Sequence, residues 1–250
     1  QLQREGPDGI PEKVVGMLSV SDNLICVADR FTFYFLDRNG HVVKKYAPKD
    51  ISIVDCNYAI NNSAFGYLDD RYLAFPALNI ADNSYCIVVH DMEGVDDDRR
   101  VKLDFPESNP DGTKNFAYYQ HPHVSISGSL VVYNYGYESR VYTVNLQSGE
   151  RNRYAVPSRY ADDEIPEYDG AMDFSAMQRY QYGNPHFMEV LYLPEKDEYV
   201  RIILQKSDLS TDTDFETIVD SKQLCLTYMD SSFNVIDEVL LPEKVYNNFD

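Results

Sequence analysis

The sequence predicts an all-β fold, and three features of its 250 residues support that prediction. Short apolar runs alternate with polar residues, as at Phe31, Phe33 and Phe35, which would place every second side chain on one face of a strand. Hairpin signals such as Asp37–Gly40 (DRNG) separate these runs. The chain has 21 Tyr and no Trp, and a high tyrosine content is typical of half-buried strands.

A unit of several strands and turns recurs along the chain. Its last hairpin turn falls at Gly40, Gly94, Gly149 and Asn234, so the successive spacings are 54, 55 and 85 residues. The first two spacings fit one four-stranded blade of a β-propeller with its connection, because blade repeats run at about 40–50 residues. We therefore predict a β-propeller of four-stranded antiparallel blades. A β-sandwich is the alternative, although it gives no reason for a constant spacing.

The predicted organisation is one propeller domain over residues 1–250, incomplete at both ends, with six or seven blades in the complete protein. The blades visible here are placed at about 11–48, 60–106, 118–157 and 186–242. An acidic insertion at 158–185, with a helix at Ala171–Tyr180, accounts for the longest spacing. A second insertion is predicted at Asp208–Lys222. The first joins two blades, so we expect it to cross one face and partly cover the central opening.

Charge and cysteine content exclude several classes of protein. The 41 acidic and 22 basic residues give a net charge of −19, which repels nucleic acids. Four cysteines are too few and too widely spaced for a disulfide framework or a zinc site. Cys26, Cys86 and Cys225 lie in apolar runs and should be buried, whereas Cys56 should be partly exposed. We expect no cofactor, no transmembrane segment in this chain and a monomer.

Histidines and neighbouring tyrosines supply most of the candidate ligand-binding residues. His121 and His123 precede the first strand of the third blade, and His186 precedes that of the fourth. Because first strands line a propeller's channel, these side chains should meet within about 10 Å near one channel mouth. Tyr119 and Tyr182 would add ring faces suited to a sugar or a peptide. The alternative is that the imidazoles simply pack on tyrosines; His-x-His without a third ligand predicts no metal site.

Other residue patterns are assigned structural roles. Tyr133, Tyr135 and Tyr137 alternate along one strand and should form a packed face. With 41 acids in the chain, adjacent carboxylates such as Asp69 and Asp70 are expected by chance and predict no facing pair. We therefore assign no catalytic residues.

Three segments resemble a family of Bacteroidetes cell-envelope proteins, catalogued as domain of unknown function 4221. Glu5–Ile10 (EGPDGI) is similar to its EGP-[ND]-G-[VI] signature, and Leu191–Arg201 is similar to its "yDp…YYR" segment. Leu226–Tyr246 is similar to its "lyD..f..i.E..L….Y" segment. The resemblance implies a propeller, a precursor with a signal peptide, an extracytoplasmic location and no known catalytic residues. Arg201, at the end of the second segment, joins the ligand-binding candidates.

The expected function is that of a non-catalytic propeller in the periplasm or on the cell surface, with a lipid anchor on the precursor. It would bind a glycan, a peptide or an envelope protein at its loop-rich face, and no nucleic acid. The alternative is a carbohydrate-active hydrolase or lyase on the same scaffold, which requires two converging carboxylates.

Overall fold

The computed structural model describes residues 9, 14–53, 64–171, 173–207 and 223–243. The insertion predicted at Asp208–Lys222, Cys56, and all of the opening hexapeptide except Gly9 lie outside the described residues.

Seventeen strands in the described residues form four antiparallel sheets, each following chain order. Sheet I contains β1 (Gly16–Ser21), β2 (Leu24–Ala28), β3 (Phe33–Leu36) and β4 (Val42–Tyr46). Sheet II contains β5 (Ile51–Ile53), β6 (Gly66–Leu68), β7 (Tyr72–Asn79), β8 (Ser84–Asp91) and β9 (Arg99–Lys102). Sheet III contains β10 (Pro122–Ser127), β11 (Leu130–Tyr135), β12 (Val141–Asn145) and β13 (Arg151–Tyr154). Sheet IV contains β14 (His186–Leu193), β15 (Glu198–Leu204), β16 (Leu224–Met229) and β17 (Val235–Leu240).

One antiparallel meander sheet is the repeating unit, or blade, of a β-propeller. Four such sheets follow one another along the chain, so the predicted fold class is confirmed. Sheet II differs because two short strands share its first position. β6 pairs with the beginning of β7 and β5 pairs with its end. The blade order is therefore kept although the first strand is split.

The chain divides into two compact units, which are described separately. Unit 1 comprises sheets I and II together with residues 126–129. Unit 2 comprises residues 105–125 and the described residues from 130 onward.

The core of unit 1 is built from alternate side chains of its central strands. Phe33, Phe35 and Phe75 are fully buried, and the ring centroids of Phe33 and Phe75 lie 4.5 Å apart. Phe31 is 60% exposed, so its predicted place on the same face is wrong. The reason is local: the Asp29 carboxylate accepts hydrogen bonds from the backbone N–H groups of Phe31 and Thr32, which makes a turn before β3 begins.

The last hairpin of every sheet opens with an aspartate or asparagine. Its side-chain oxygen accepts backbone N–H groups of the turn that follows; these residues are Asp37, Asp91, Asn145 and Asp230. Gly40, Gly94 and Gly149 then adopt positive φ, with φ between 71° and 83°. The predicted turn glycines are therefore confirmed.

In the fourth sheet the equivalent of Gly40 is Phe233, not Asn234 as predicted. Phe233 lies three residues after Asp230, as Gly40 lies three after Asp37, and it has φ 62°. Its ring is buried, with centroids 4.5 Å from those of Tyr199 and Tyr154. Aromatic packing therefore compensates for a backbone conformation that favours glycine.

The tyrosine and cysteine predictions hold for the described residues. Tyr133, Tyr135 and Tyr137 are all buried, and Tyr137 stacks on Phe116 with centroids 3.8 Å apart. Cys26, Cys86 and Cys225 are buried free thiols. Burial raises the pKa of Cys26 to about 12 and that of Cys86 and Cys225 to about 11, so the three thiols are unreactive.

The helix of the insertion, α1, spans Phe174–Gly183 and begins three residues later than predicted. The Asp173 carboxylate accepts a hydrogen bond from the backbone N–H of Ala176 (2.8 Å), so Asp173 caps the helix and excludes the residues before it. Among the described helices, none is long and apolar enough to span a membrane.

Candidate functional site

His123 and His186 meet inside unit 2, at the starts of β10 and β14. Their Nε2 atoms are 2.9 Å apart although 63 residues separate them in the sequence. The predicted proximity is therefore confirmed. Both residues are buried, and a hydrogen bond between two imidazoles requires one Nε2 to donate and the other to accept.

Tyr119 completes this histidine–tyrosine cluster, defined by Tyr119, His123 and His186. Its ring centroid lies 4.2 Å from that of His186, and its hydroxyl donates to the carbonyl of Gln181 at the end of α1. A Cβ atom added to Gly136 would lie 2.6 Å from Cδ2 of His186, so there is no space even for a methyl group. The cluster is a tightly packed interior.

His121 and Tyr182 lie nearer to solvent than the cluster. His121 is exposed, directly after the 3-10 helix Ala117–Gln120. Tyr182 is half-buried in α1, and burial raises the pKa of its hydroxyl. Its backbone carbonyl accepts a hydrogen bond from the N–H of Ser207 (2.8 Å), which joins α1 to the chain that follows β15.

Arg201, in β15, is fully buried. Its Nη1 donates to the carbonyl of Ser139 and its Nη2 to that of Val156 (2.6 Å), and the guanidinium lies 4.9 Å from the ring centroid of Phe187. Burial lowers the pKa of Arg201 to about 10. Arg201 therefore connects β15 of sheet IV to the loop after β11 and to the segment after β13. A ligand-binding role for Arg201 and the other five candidates stays a prediction.

A cavity of about 320 Å³ opens in unit 2 where both predicted insertions leave the sheets. Three short stretches line it: the start of the first insertion, its end, and the two residues after β15 that precede the second insertion. We call it the root cavity; its lining residues are Ser158, Arg159, Tyr160, Ala161, Asp162, Pro185, Gln205 and Lys206.

Carboxylates of sheet IV hold the most basic side chain of the root cavity in place. The backbone N–H and Nε of Arg159 donate to Oε2 of Glu238 (2.8 and 3.2 Å), and Nη2 donates to Oδ1 of Asp237 (3.4 Å). The hydrogen bond to Glu238 raises the pKa of Arg159. Burial alone would raise the pKa of Glu238, but hydrogen bonds from Ser158 and Arg159 hold it below its usual value. Lys206 faces Asp162, with Nζ and Oδ2 4.0 Å apart. A carboxylate therefore lies beside each of the two basic side chains of the cavity.

Gln205, a lining residue of the cavity, has a side-chain donor with no hydrogen-bond partner among the described residues. Its backbone N–H donates to the carbonyl of Gln223 (2.8 Å), which fixes the residue beside β16. Its side-chain Nε2 is buried and has no hydrogen-bond partner in the described part of the chain. An amide in that state favours an acceptor oxygen, because a buried unpaired donor costs about 1–3 kcal/mol.

The insertion that forms one wall is anchored by backbone hydrogen bonds within unit 2. The N–H of Ser139 donates to the carbonyl of Asp163 (2.7 Å), and the N–H of Ile165 donates to that of Tyr137 (3.1 Å). The insertion is therefore anchored to the loop that follows β11.

Sequence reasoning missed all eight lining residues. A usable signal was present, because Ser158–Asp162 and Gln205–Lys206 are the points where the regular spacing breaks. Asp162 is the sole carboxylate among the described lining residues. No group of three or more His, Cys, Asp or Glu suited to a metal ion occurs among the described residues.

Comparison with known proteins identifies the fold. No protein-family model matches the chain, and no curated protein matches it either. The chain is similar to the crystal structure of a DUF4221 family member from Bacteroides vulgatus, with a TM-score of 0.72 and 14% identity, over 100% of this chain and 72% of that one.

Two further structures are less similar. One is the β-propeller domain of Cps50 (Swd1) from Myceliophteria thermophila, with a TM-score of 0.45 and 11% identity, over 93% of this chain and 61% of that one. The other is a protein of unknown function from Bacteroides caccae, with a TM-score of 0.36 and 12% identity, over 95% of this chain and 85% of that one. At these TM-scores neither carries a structural argument. The likeness to the Bacteroides vulgatus protein shows that the chain has the fold of a DUF4221 family member, so the resemblance predicted from the sequence is confirmed at the level of the fold.

Proposed function

We propose that this chain is a non-catalytic, extracytoplasmic binding module whose ligand, a glycan, a peptide or an envelope protein, occupies the root cavity. One observation carries the proposal: the cavity lies where both insertions leave an otherwise regular set of sheets. Binding residues concentrate on loops held by a rigid scaffold, and insertions into a repeat are where such loops arise.

The size and chemistry of the root cavity support a binding role. Its volume of about 320 Å³ falls at the lower end of the range for small-molecule sites. It combines an exposed aromatic ring, Tyr160, with Gln205, whose Nε2 has no hydrogen-bond partner among the residues that the structure describes. An aromatic face and a few fixed polar groups are what orient a ligand.

Carboxylate geometry favours binding over glycoside hydrolysis. Hydrolysis of a glycoside requires two carboxyl groups on opposite sides of the scissile bond. Asp162 alone supplies a carboxylate among the described lining residues, and the buried Glu238 is occupied by Ser158 and Arg159. The described lining therefore supports a non-catalytic role better than the hydrolase alternative.

In this proposal the histidine–tyrosine cluster holds one lining residue of the cavity in position. His186 directly follows Pro185, a lining residue, and is held by His123 and Tyr119. Fixing His186 fixes the position of Pro185. The extracytoplasmic location rests on the family resemblance.

Glycan and peptide arrays probed with the chain at physiological salt test this proposal. We expect ligands from one class to bind, and an Arg159→Ala/Tyr160→Ala double variant to lose that binding while its unfolding transition is kept. Binding that survives in the double variant would contradict the proposed site. Turnover of a polysaccharide by the wild-type chain would contradict the non-catalytic role.

A further inference from the structure

We infer that the root cavity takes a neutral mono- or disaccharide, held by Tyr160 against one sugar face and by Gln205 on a sugar oxygen. The inference rests on the proposed function and names the ligand class of that same site.

Charge around the cavity favours a neutral ligand. The two cations, Arg159 and Lys206, are accompanied by three carboxylates, Asp162, Asp237 and Glu238. An anionic ligand would therefore displace existing partners, in a molecule whose net charge is already −19. A cationic ligand would meet both basic side chains. A neutral ligand encounters neither cost.

Hydrogen-bonding capacity favours hydroxyl groups. Gln205 Nε2 needs an acceptor, and the Asp162 carboxylate, whose side chain is 78% exposed, accepts only. A hydroxyl group both accepts and donates, so neighbouring sugar hydroxyls satisfy both residues.

Apolar surface in the cavity matches a sugar better than a peptide. Tyr160 is 41% exposed, and Ala161 and Pro185 are the other apolar lining residues described. A ring face with a polar edge suits the less polar face of a sugar ring. A peptide bound through apolar side chains would need a larger apolar pocket than these residues provide.

Isothermal titration calorimetry with four chains tests the inference. The probes are glucose, galactose, mannose and their disaccharides, glucuronic acid as the charged match for glucose, and a capped Gly-Ser-Gly peptide. The chains are the wild type, Tyr160→Ala, Gln205→Ala and the control Gln147→Ala, an exposed glutamine in the β12–β13 turn. Each titration is run at low and at high salt, and thermal unfolding confirms that each variant is folded.

We expect a neutral sugar to bind at millimolar or lower concentration, with an affinity that salt leaves unchanged. Gln205→Ala should weaken binding about fivefold, through one lost hydrogen bond, and Tyr160→Ala about tenfold. Gln147→Ala should bind as the wild type does.

Each other outcome decides between the inference and the proposed function. The neutral-sugar inference would be overturned if glucuronic acid bound more tightly than the neutral sugars, with an affinity that falls with salt, or if the peptide bound more tightly. If Tyr160→Ala and Gln205→Ala weakened that binding, the proposed site would still stand. Sugar binding that is equal in all four chains would place the site elsewhere and overturn both. Failure of every sugar to bind the wild type would overturn the inference, whereas the array experiment still decides the proposed function.

Discussion

The histidine–tyrosine cluster and the root cavity adjoin in unit 2 but differ in one essential respect. In the cluster, His123, His186 and Tyr119 are 4% exposed or less; the two Nε2 atoms bond to each other, and the Tyr119 hydroxyl donates to a backbone carbonyl. In the cavity, Tyr160 is 41% exposed, and Nε2 of Gln205 has no hydrogen-bond partner within the described ranges of the chain. Side chains typical of binding sites can thus serve the core, whereas a binding site needs exposed surface together with polar groups whose hydrogen bonds are not already used.

Because the cluster is buried and the cavity is exposed, we expect substitutions in the two regions to have different effects. Changes in the cluster and in the buried parts around it should lower stability. Changes in the cavity lining should lower affinity and leave stability nearly unchanged.

Arg201→Ala should give the largest effect, a loss of about 3 kcal/mol in the free energy of unfolding. The change leaves the buried carbonyls of Ser139 and Val156 without donors and opens a space beside Phe187. Urea unfolding measures it. Arg159→Ala, at a guanidinium whose side chain is 64% exposed, is the control and should lower the free energy of unfolding much less. If both variants lost the same free energy of unfolding, Arg201 would be no more important for the core than Arg159 is.

Gly136→Ala should cost about 2 kcal/mol, because the new Cβ would lie 2.6 Å from Cδ2 of His186. The same substitution in a His186→Ala background should cost much less, since the clashing ring is gone. Thermal or urea unfolding of the four chains of this double-mutant cycle supplies the test. An equal cost in both backgrounds would show that the tight packing around His186 is not what limits this position.

Glu238→Gln should cost about 1 kcal/mol at pH 7, because Glu238 holds Arg159 at the edge of the cavity. Hydrogen bonds outweigh burial and lower the pKa of Glu238 in the folded chain. Its carboxylate therefore stabilises the fold above the ordinary glutamate pKa of about 4.3, and that contribution disappears as pH falls through the lowered value.

The difference in unfolding free energy between wild type and Glu238→Gln should accordingly shrink on acidification. Glu195→Gln, at an exposed position in the β14–β15 turn, is the control and should show little difference at any pH. A difference that grows toward low pH would contradict the direction of the pKa shift.

Tyr160→Ala should have the smallest effect on stability, within about 0.5 kcal/mol, since the side chain is largely outside the core. Tyr119→Phe, which removes only the hydroxyl that donates to Gln181, should cost about 1 kcal/mol and leave ligand affinity unchanged. Chemical denaturation and calorimetry on the two variants give both quantities. A loss of affinity in Tyr119→Phe larger than that in Tyr160→Ala would indicate that the histidine–tyrosine cluster, and not the root cavity, determines ligand binding.

Repetition made the fold predictable. Gly40, Gly94 and Gly149 mark equivalent turns because each needs positive φ, and that requirement is visible as a residue type. The same reasoning failed at Phe233, where burial of the ring against Tyr154 and Tyr199 allows a residue other than glycine. Packing of that kind depends on contacts distant in sequence, which spacing does not show.

Part of the site was predictable for the same reason. The approach of His123 to His186 follows from equivalent positions in successive repeats. Packing of an imidazole on a tyrosine was the alternative expected from the sequence, and His186 packs on Tyr119 in this way. The role of Gly136, whose missing side chain makes room for the ring, could not be predicted from the spacing. At Ser158–Asp162 and Gln205–Lys206 the sequence shows only a break in the regular spacing and no motif, so the cavity was not predicted; only the fold brings these residues together.

Hydrogen–deuterium exchange on the wild-type chain, with and without the ligand that binds it most tightly, locates the binding site. Ligand should slow exchange in peptides covering residues 158–162 and 205–206, while peptides covering β10 should exchange at the same rate in both states. Slower exchange confined to residues 119–123, or to unit 1, would contradict the assignment of binding to the root cavity.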